Sequence, residues 1–225
     1  MSLISFDIGI KNLCYCHLSL NKQIIDWKII NISNDVPCEH LLRTGDPCNK
    51  SATYTYNKDP DKKVYLCTAH SKHKSYNKVK KFKNPLNNLF WIGQNLVNKF
   101  NELKLCNDDI ESVIIENQPS LKNPTMKSIQ MMVYSYFLIN GICNKNSTIK
   151  NLEMINARNK LKCYIGPKIE CDIKETYKRN KWLAVKYCEN MIQNESDEFI
   201  NLFKNSKKKD DLSDSYLQGI YFLSL

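Results

Sequence analysis

Hydrophobic positions in the first 32 residues recur with the period of β-strands. Residues 3–8 are apolar apart from Ser5 and Asp7, residues 12–20 alternate roughly with a period of two, and residues 24–32 are rich in isoleucine. Because successive side chains of a strand point to opposite faces, these patterns predict three short strands. Gly9 permits a tight backbone after the first of them. We therefore expect the chain to begin with an antiparallel meander.

The later part of the chain alternates between helical and strand patterns. Apolar residues in 86–103 have the spacing of an amphipathic helix, and residues 112–116 form a buried-strand pattern. Thr125 is expected to cap a helix that reaches residue 137. A further strand is predicted at 152–155, and helices at 175–193 and 210–223. Strands that alternate with helices predict an α/β fold with some parallel pairing.

Residues 33–85 interrupt this alternation. The segment contains cysteine, histidine, proline and glycine, has almost no helical period and ends in a run of lysines. We interpret it as a module inserted into a domain formed by 1–32 and 86–225. A chain of 225 residues has room for both, and a hydrophobic content of 42% is enough to build a core.

Composition adds a class of partner and excludes a membrane span. The chain has 33 Lys and Arg against 23 Asp and Glu, a net charge of +10, which favours a polyanion such as nucleic acid. The longest nearly uncharged stretch, 128–142, is too short to cross a bilayer. Asp7 lies within the first apolar run, which argues against a secretory signal. We therefore expect an intracellular protein, whose ten cysteines are better explained by burial or metal ligation than by disulfides.

Three cysteines and one histidine of the inserted segment have the composition of a zinc site. Their spacing is Cys-x9-Cys-x18-Cys-x2-His, and structural zinc takes four such ligands in a tetrahedron. A segment with few large apolar residues also gains most from a bound metal. The predicted ligands of one structural Zn²⁺ are Cys38, Cys48, Cys67 and His70. His40 and His73 are competing ligands.

Four carboxylates occupy positions that together indicate a divalent-metal site. Asp7 and Glu116 each end an apolar strand, and Asp211 and Asp214 lie three apart at the start of the last helix, hence on one face. Each has an ordinary alternative role, such as turn hydrogen bonds or a helix cap. Charged groups at buried strand ends need a counter-charge, however, and oxygen ligands suit Mg²⁺. The order of strand Asp, strand Glu and helix Asp-x-x-Asp therefore predicts such a site.

Three motifs carry a resemblance to a known family. The sequences FDIGIKN at 6–12, IENQP at 115–119 and KKDDLSDS at 208–215 resemble the motifs of RuvC-like Holliday junction resolvases. The similarity is closest to the poxvirus-type branch of large DNA viruses, and it covers most of the chain outside 33–85. It implies an RNase H-like mixed sheet, with a three-stranded antiparallel start followed by parallel strands and flanked by helices.

The resemblance also implies a homodimer that makes paired nicks in four-way DNA junctions. Each subunit would hydrolyse one phosphodiester with two Mg²⁺ ions, for which Mn²⁺ can substitute. The implied catalytic and metal-binding residues are Asp7, Glu116, Asp211 and Asp214. Asp210 has no matching role and competes with Asp211 if the helix begins one residue away from its predicted start. Family members often carry a basic side chain near the scissile phosphate, for which Lys181 is the first candidate and Lys160 the second.

Basic residues outside these motifs are candidates for DNA contacts, since lysine and arginine neutralise phosphates. The expected nucleic-acid-binding residues are Lys72, Lys74, Lys78, Lys80, Lys81, Lys83, Lys178, Arg179 and Lys208. A solvated linker is the alternative for the lysine run. Four nearby tyrosines either stack on unpaired nucleotides or form the core of the module; they are Tyr54, Tyr56, Tyr65 and Tyr76.

The residues alone leave the substrate open. A nuclease of the same fold could act on other branched DNA or on RNA–DNA hybrids, and a non-catalytic nucleic-acid-binding protein with a zinc module is a further alternative. The many Asn, Lys and Ile residues are typical of an AT-rich genome such as that of a large DNA virus. We therefore expect the protein at the site of viral DNA replication in the infected cell.

Overall fold

The computed structural model describes residues 1–59, 62–106, 109–121 and 123–225. It divides into two compact units. The larger unit comprises Met1–Ile32 and Gly93–Leu225, and the smaller unit comprises Ser33–Ile92.

Eight strands and five α-helices are assigned in the described residues. The strands are β1 (Ser2–Asp7), β2 (Leu13–Ser19), β3 (Ile24–Ile30), β4 (Tyr54–Asp59), β5 (Lys62–Leu66), β6 (Lys80–Lys81), β7 (Ile110–Glu116) and β8 (Asn151–Ile155). The helices are α1 (Leu89–Glu102), α2 (Pro124–Phe137), α3 (Thr176–Met191), α4 (Asp197–Asn205) and α5 (Lys209–Phe222). A π-helical turn, Leu138–Ile142, extends α2, and short 3₁₀ helices occupy His70–Lys72 and Ala157–Cys163.

The larger unit contains a five-stranded mixed sheet in the order β3-β2-β1-β7-β8. Strands β1, β2 and β3 pair antiparallel, whereas β1 with β7 and β7 with β8 pair parallel. The predicted antiparallel start followed by parallel strands is therefore confirmed. Helices cover the sheet, which explains why β1 is buried along nearly its whole length instead of on alternate residues.

Aromatic packing fixes the helices on one face of the sheet. The ring of Phe6 lies 5.4 Å from that of Phe100 in α1 and 5.3 Å from that of Phe137 in α2. All three side chains are buried. Because side chains alternate along a strand, Phe6 points to this face and its neighbour Asp7 points to the other.

Helix α5 lies close against the opposite face of the sheet. A Cβ atom added to Gly219 would lie 2.7 Å from Leu18 and 3.2 Å from both Leu3 and Ser5, so a larger residue there would require these neighbours to shift. The buried Gln218 side chain donates hydrogen bonds to the Ser5 hydroxyl and to the Phe6 carbonyl. This close contact brings the acidic N-terminus of α5 to the strand end that carries Asp7.

The smaller unit is built on a three-stranded antiparallel sheet in the order β5-β4-β6. Its hydrophobic core is small: among the described residues, the buried members of this cluster are Cys38, Leu66 and Cys67. Tyr54, Tyr56 and Tyr76 pack against them, which favours the core role over the stacking role for these three tyrosines.

One helix cap differs from its prediction. Asn123, and not Thr125, caps α2, because its side-chain oxygen accepts a hydrogen bond from the Met126 amide at 3.2 Å. Pro124 then takes the first helical position, where its missing N–H costs nothing. No helix in the described part of the chain has both the length and the apolar character that a bilayer span requires.

Candidate active site and metal cluster

The four predicted carboxylates line one cavity of about 590 Å³ in the larger unit. Phe6 pairs with Ile115 in the parallel β1–β7 ladder, so Asp7 and Glu116 follow at neighbouring strand ends. Asp211 and Asp214 reach the same cavity from the first turns of α5. Three elements that are distant in sequence therefore deliver acids to one place, although the catalytic role of these acids remains a prediction.

Burial and neighbouring negative charges raise the pKa values of Asp7, Asp211 and Asp214. Burial is the largest cause of the raised pKa of Asp7, and the charges of Glu116 and Asp214 raise it further. Burial also raises the pKa of Asp214 to about 6, against the lowering effect of Lys160. The pKa of Asp211 is raised by burial and by Asp210. Such a concentration of negative charge is stabilised by a cation.

Lys160 supplies a positive charge inside this cavity. Its Nζ lies 2.5 Å from Oδ2 of Asp214, and the exposed fractions of the two side chains are 15% and 16%. Although burial alone would lower the pKa of Lys160, the carboxylates of Asp214, Glu116 and Asp7 raise it, so the ammonium stays protonated.

Lys181, the first candidate for a basic side chain near the phosphate, has a different partner. Its Nζ lies 2.7 Å from Oδ2 of Asp210, and it also lines the cavity. The structure therefore places Lys160 against a predicted metal ligand and Lys181 against the acid that had no assigned role. Asp210 is absent from the cavity lining, whereas Asp211 is part of it.

Two glutamines that the sequence did not single out hold the end of β7. Gln118 donates a hydrogen bond from Nε2 to Oε2 of Glu116 at 2.8 Å. The backbone amide of Gln118 in turn donates to Oε1 of Gln130, which is fully buried in α2 and also accepts from Lys127. A glutamine between apolar neighbours on the buried face of α2 was the signal for this network, since buried amides are normally hydrogen-bonded.

The donor atoms fit a hard divalent cation. Asp7, Glu116, Asp211 and Asp214 offer only carboxylate oxygens, which Mg²⁺ and Mn²⁺ prefer. Within the described residues, however, these acids do not form a set of three whose donor atoms all lie within 4.8 Å of one another. Lys160 and Gln118 instead engage oxygens of Asp214 and Glu116.

The smaller unit contains a tight cluster of three thiols and one imidazole. The donor atoms of the cluster all lie within 4.8 Å of one another, and its members are Cys38, Cys48, Cys67 and His70. Nδ1 of His70 is 3.6 Å from Sγ of Cys38 and 3.5 Å from Sγ of Cys67. Ligands of a tetrahedral zinc ion are separated by about 3.5–3.8 Å, as the usual Zn–N and Zn–S bond lengths require. The cluster could therefore hold a zinc ion.

The two competing histidines lie beside this cluster and have other contacts. Nδ1 of His40 is 2.9 Å from the Tyr76 hydroxyl, and the His40 ring packs 4.0 Å from the His70 ring. Nδ1 of His73 accepts a hydrogen bond from the Ser75 amide.

Burial opposes ionisation of Cys67, but amide hydrogen bonds from His70 and Ala69 bring its pKa below the ordinary thiol value, which favours the thiolate that metals bind.

Basic residues predicted to bind nucleic acid are exposed in both units. Residues 33–92 carry eleven Lys and Arg against five Asp and Glu, and the six lysines between 72 and 83 are all exposed. In the larger unit, Lys178, Arg179 and Lys208 are also exposed. Two of them have acidic partners: Nζ of Lys178 lies 2.6 Å from Oε2 of Glu175, and Nζ of Lys208 lies 4.0 Å from Oδ2 of Asp211. Their contacts with nucleic acid remain predictions.

Solved Holliday junction resolvases are among the structures to which this chain is similar. The yeast mitochondrial Holliday junction resolvase Ydc2 aligns with a TM-score of 0.53, covering 98% of this chain and 78% of the yeast chain at 15% identity. The fowlpox virus Holliday junction resolvase (TM-score 0.45, 15% identity) covers 100% of this chain and 98% of its own. The alignment with Thermus thermophilus RuvC (TM-score 0.46, 10% identity) covers 98% of this chain and 92% of the RuvC chain. The yeast alignment shows that this chain has the resolvase fold, so the predicted RNase H-like architecture is confirmed.

One curated protein is similar to this chain in sequence. An uncharacterized protein of Acanthamoeba polyphaga mimivirus is 36% identical over 236 residues, covering 93% of this chain and 56% of the relative. The chain thus spans about half the length of that curated relative. No protein-family model matches the chain.

Proposed function

We propose that this chain is a divalent-metal-dependent DNA endonuclease that makes paired nicks in four-way junctions. The observation that carries the proposal is the meeting of Asp7, Glu116, Asp211 and Asp214 in one cavity of a resolvase fold. The four acids alone are compatible with several nucleic-acid substrates. The fold supports a four-way junction as the substrate, because the solved neighbour with this fold is a Holliday junction resolvase.

The acids, Lys160 and Gln118 have different roles in the proposed hydrolysis. Divalent cations held by the four acids would lower the pKa of the attacking water and stabilise the departing 3′ oxygen. Lys160 adds a fixed positive charge beside Asp214, where the negative phosphodiester would enter. Gln118 restrains the carboxylate of Glu116 through its side-chain hydrogen bond, so that one oxygen remains for the metal.

A structural zinc ion in the smaller unit is the second part of the proposal. The small core of this unit supports the idea, because a hydrophobic cluster with three buried members stabilises a 60-residue unit weakly. The excess of positive charge in the same unit supports contact with DNA phosphates.

A homodimer completes the proposal, because two equivalent active sites match the approximate two-fold symmetry of a four-way junction. Light scattering on the purified protein tests this part directly: we expect twice the mass of 26.3 kDa.

The substrate is tested by offering the purified protein a matched panel of DNAs with Mg²⁺. Four-way junctions, flaps, RNA–DNA hybrids and plain duplex should share one sequence arm, so that only the branch differs. We expect nicks at symmetrical positions in two strands of the junction and little cleavage of the duplex. Equal or faster cleavage of flaps or hybrids would assign the same site to a different substrate.

A further inference from the structure

Asp210 points its carboxylate to a lysine and not to the other acids of its motif. Oδ2 of Asp210 accepts a hydrogen bond from Nζ of Lys181 at 2.7 Å, across 29 residues of sequence that join α3 to α5. Lys181 also lies over the ring of Tyr177, 5.4 Å from its centroid. Two contacts therefore hold the end of a side chain that is otherwise flexible.

The pKa values of Asp210 and of its neighbour Asp211 are shifted in opposite directions. Burial opposes ionisation of Asp210, but the hydrogen bond and the charge of Lys181 bring its pKa below the ordinary value. Asp211, the next residue, has a raised pKa because of burial and the charge of Asp210. Adjacent acids in one motif thus lie in different environments, and only Asp211 lines the cavity.

Lys181 itself reaches the cavity wall, which Asn180 and Arg158 also line. An ammonium group has three N–H donors, so the contacts with Asp210 and Tyr177 leave at least one of them for another acceptor. Lys160 is engaged with Asp214 deeper in the site, since its side chain is 15% exposed against 40% for Lys181. Lys181 is therefore the more accessible ammonium of the two.

We propose that Asp210 is a positioning residue, which holds Lys181 at the cavity wall so that the lysine binds a phosphate of the DNA backbone. This rests on the proposed function for the identity of the ligand. The acidic motif would then serve two purposes: Asp211 and Asp214 face the cavity for metal, and Asp210 orients a phosphate-binding lysine.

A double-mutant cycle tests the pair through DNA binding in buffer without Mg²⁺ or Mn²⁺ and without a chelator, so that cleavage plays no part and a bound zinc ion is retained. Fluorescence anisotropy with a labelled four-way junction would compare Lys181→Gln, Asp210→Asn and the double variant over a range of salt. We expect Lys181→Gln to weaken binding about tenfold, as the loss of a charge-assisted hydrogen bond does. It should also reduce the slope of log affinity against log salt by about one.

The effect of Asp210→Asn should depend on Lys181. Alone, the substitution is expected to weaken binding about fivefold, although it removes a negative charge, because the lysine loses its orientation. In the background of Lys181→Gln it should no longer weaken binding. An equal effect of Asp210→Asn in both backgrounds, or tighter binding in both, would overturn the proposal.

A matched control lies on the same helix. Lys186 is also 40% exposed, lies 2.7 Å from Glu189 and packs over the ring of Trp182, but neither member of this pair lines the cavity. Lys186→Gln and Glu189→Gln should leave junction binding unchanged. Unchanged thermal unfolding of every variant would show that the comparison is between folded proteins.

Cleavage assays separate this proposal from the proposed function. If Asp210→Asn is as inactive as Asp211→Asn while it binds DNA normally, Asp210 belongs with the metal ligands and the positioning role is wrong. If the wild type binds junctions but never cuts them, the nuclease proposal fails, whereas the binding cycle still reports on Asp210 and Lys181.

Discussion

Nζ of Lys160 lies 2.5 Å from Oδ2 of Asp214, in the wall of a cavity that Asp7 and Glu116 also line. The lysine comes from a short 3₁₀ helix and the aspartate from α5, so the contact joins two elements that pack on each other. It neutralises part of a concentration of carboxylates that would otherwise repel one another.

Removal of this ammonium should destabilise the larger unit. Lys160→Gln leaves Asp214 buried without its partner, and we expect a loss of about 2 kcal/mol in the free energy of unfolding. Urea unfolding without divalent metal measures it. Lys150→Gln is the control, because the Lys150 side chain is 64% exposed and pairs with Glu111 at the surface. For this control we expect a loss of about 0.5 kcal/mol in the free energy of unfolding. Equal losses in the two variants would contradict a special role for the buried pair.

The buried amide of Gln130 should affect both stability and cleavage. Gln130→Leu removes the acceptor for the Gln118 amide, at an expected cost of about 2 kcal/mol in the free energy of unfolding. Because Gln118 also orients Glu116, the single-turnover cleavage rate should fall while junction affinity is retained. Gln193→Leu, at an exposed position, should change neither quantity. A normal cleavage rate in a folded Gln130→Leu protein would disprove the link to Glu116.

Zinc should be bound with one ion per chain. Metal analysis of the purified protein is expected to find it in the wild type and in Cys143→Ser, which alters an exposed cysteine outside the cluster, but not in Cys67→Ser. Because metal binding and folding are coupled in small units, chelation should expose residues 33–92 to proteases before the rest of the chain. Absence of zinc from the wild type would refute this part of the account.

Lysines of the smaller unit should contribute to DNA affinity through charge. Lys78→Gln combined with Lys80→Gln is expected to lower the slope of log affinity against log salt by about two. Lys104→Gln combined with Lys145→Gln removes the same charge from exposed positions of the larger unit and serves as the control. If both double variants change the slope equally, the smaller unit has no specific part in DNA binding.

The sequence predicted the sheet and the positions of the four acids for a physical reason. Apolar runs that end in an acid, at Asp7 and Glu116, are strong local signals, and parallel neighbouring strands necessarily bring such ends together. The partners of the basic residues could not be predicted in the same way. Whether Lys160 or Lys181 meets Asp214 depends on how the 3₁₀ helix and α3 pack on α5, which no local pattern encodes.

The short elements of the smaller unit escaped prediction for a related reason. Strand β6 has two residues, Lys80 and Lys81, and neither is apolar, so periodicity cannot reveal it. The spacing of Cys67 and His70 is a local signal, whereas the meeting of Cys38 and Cys48 with them needed the fold.

In the proposed function, Asp7 and its partner acids hold the metal with which junction DNA is cut. The most direct measurement compares wild type and Asp7→Asn on a four-way junction, scoring both binding and nicking with Mg²⁺ and with Mn²⁺. We predict that the wild type introduces paired nicks and that Asp7→Asn binds the junction with similar affinity but fails to cut it. A wild-type protein that binds the junction and cuts it with neither metal would contradict the account.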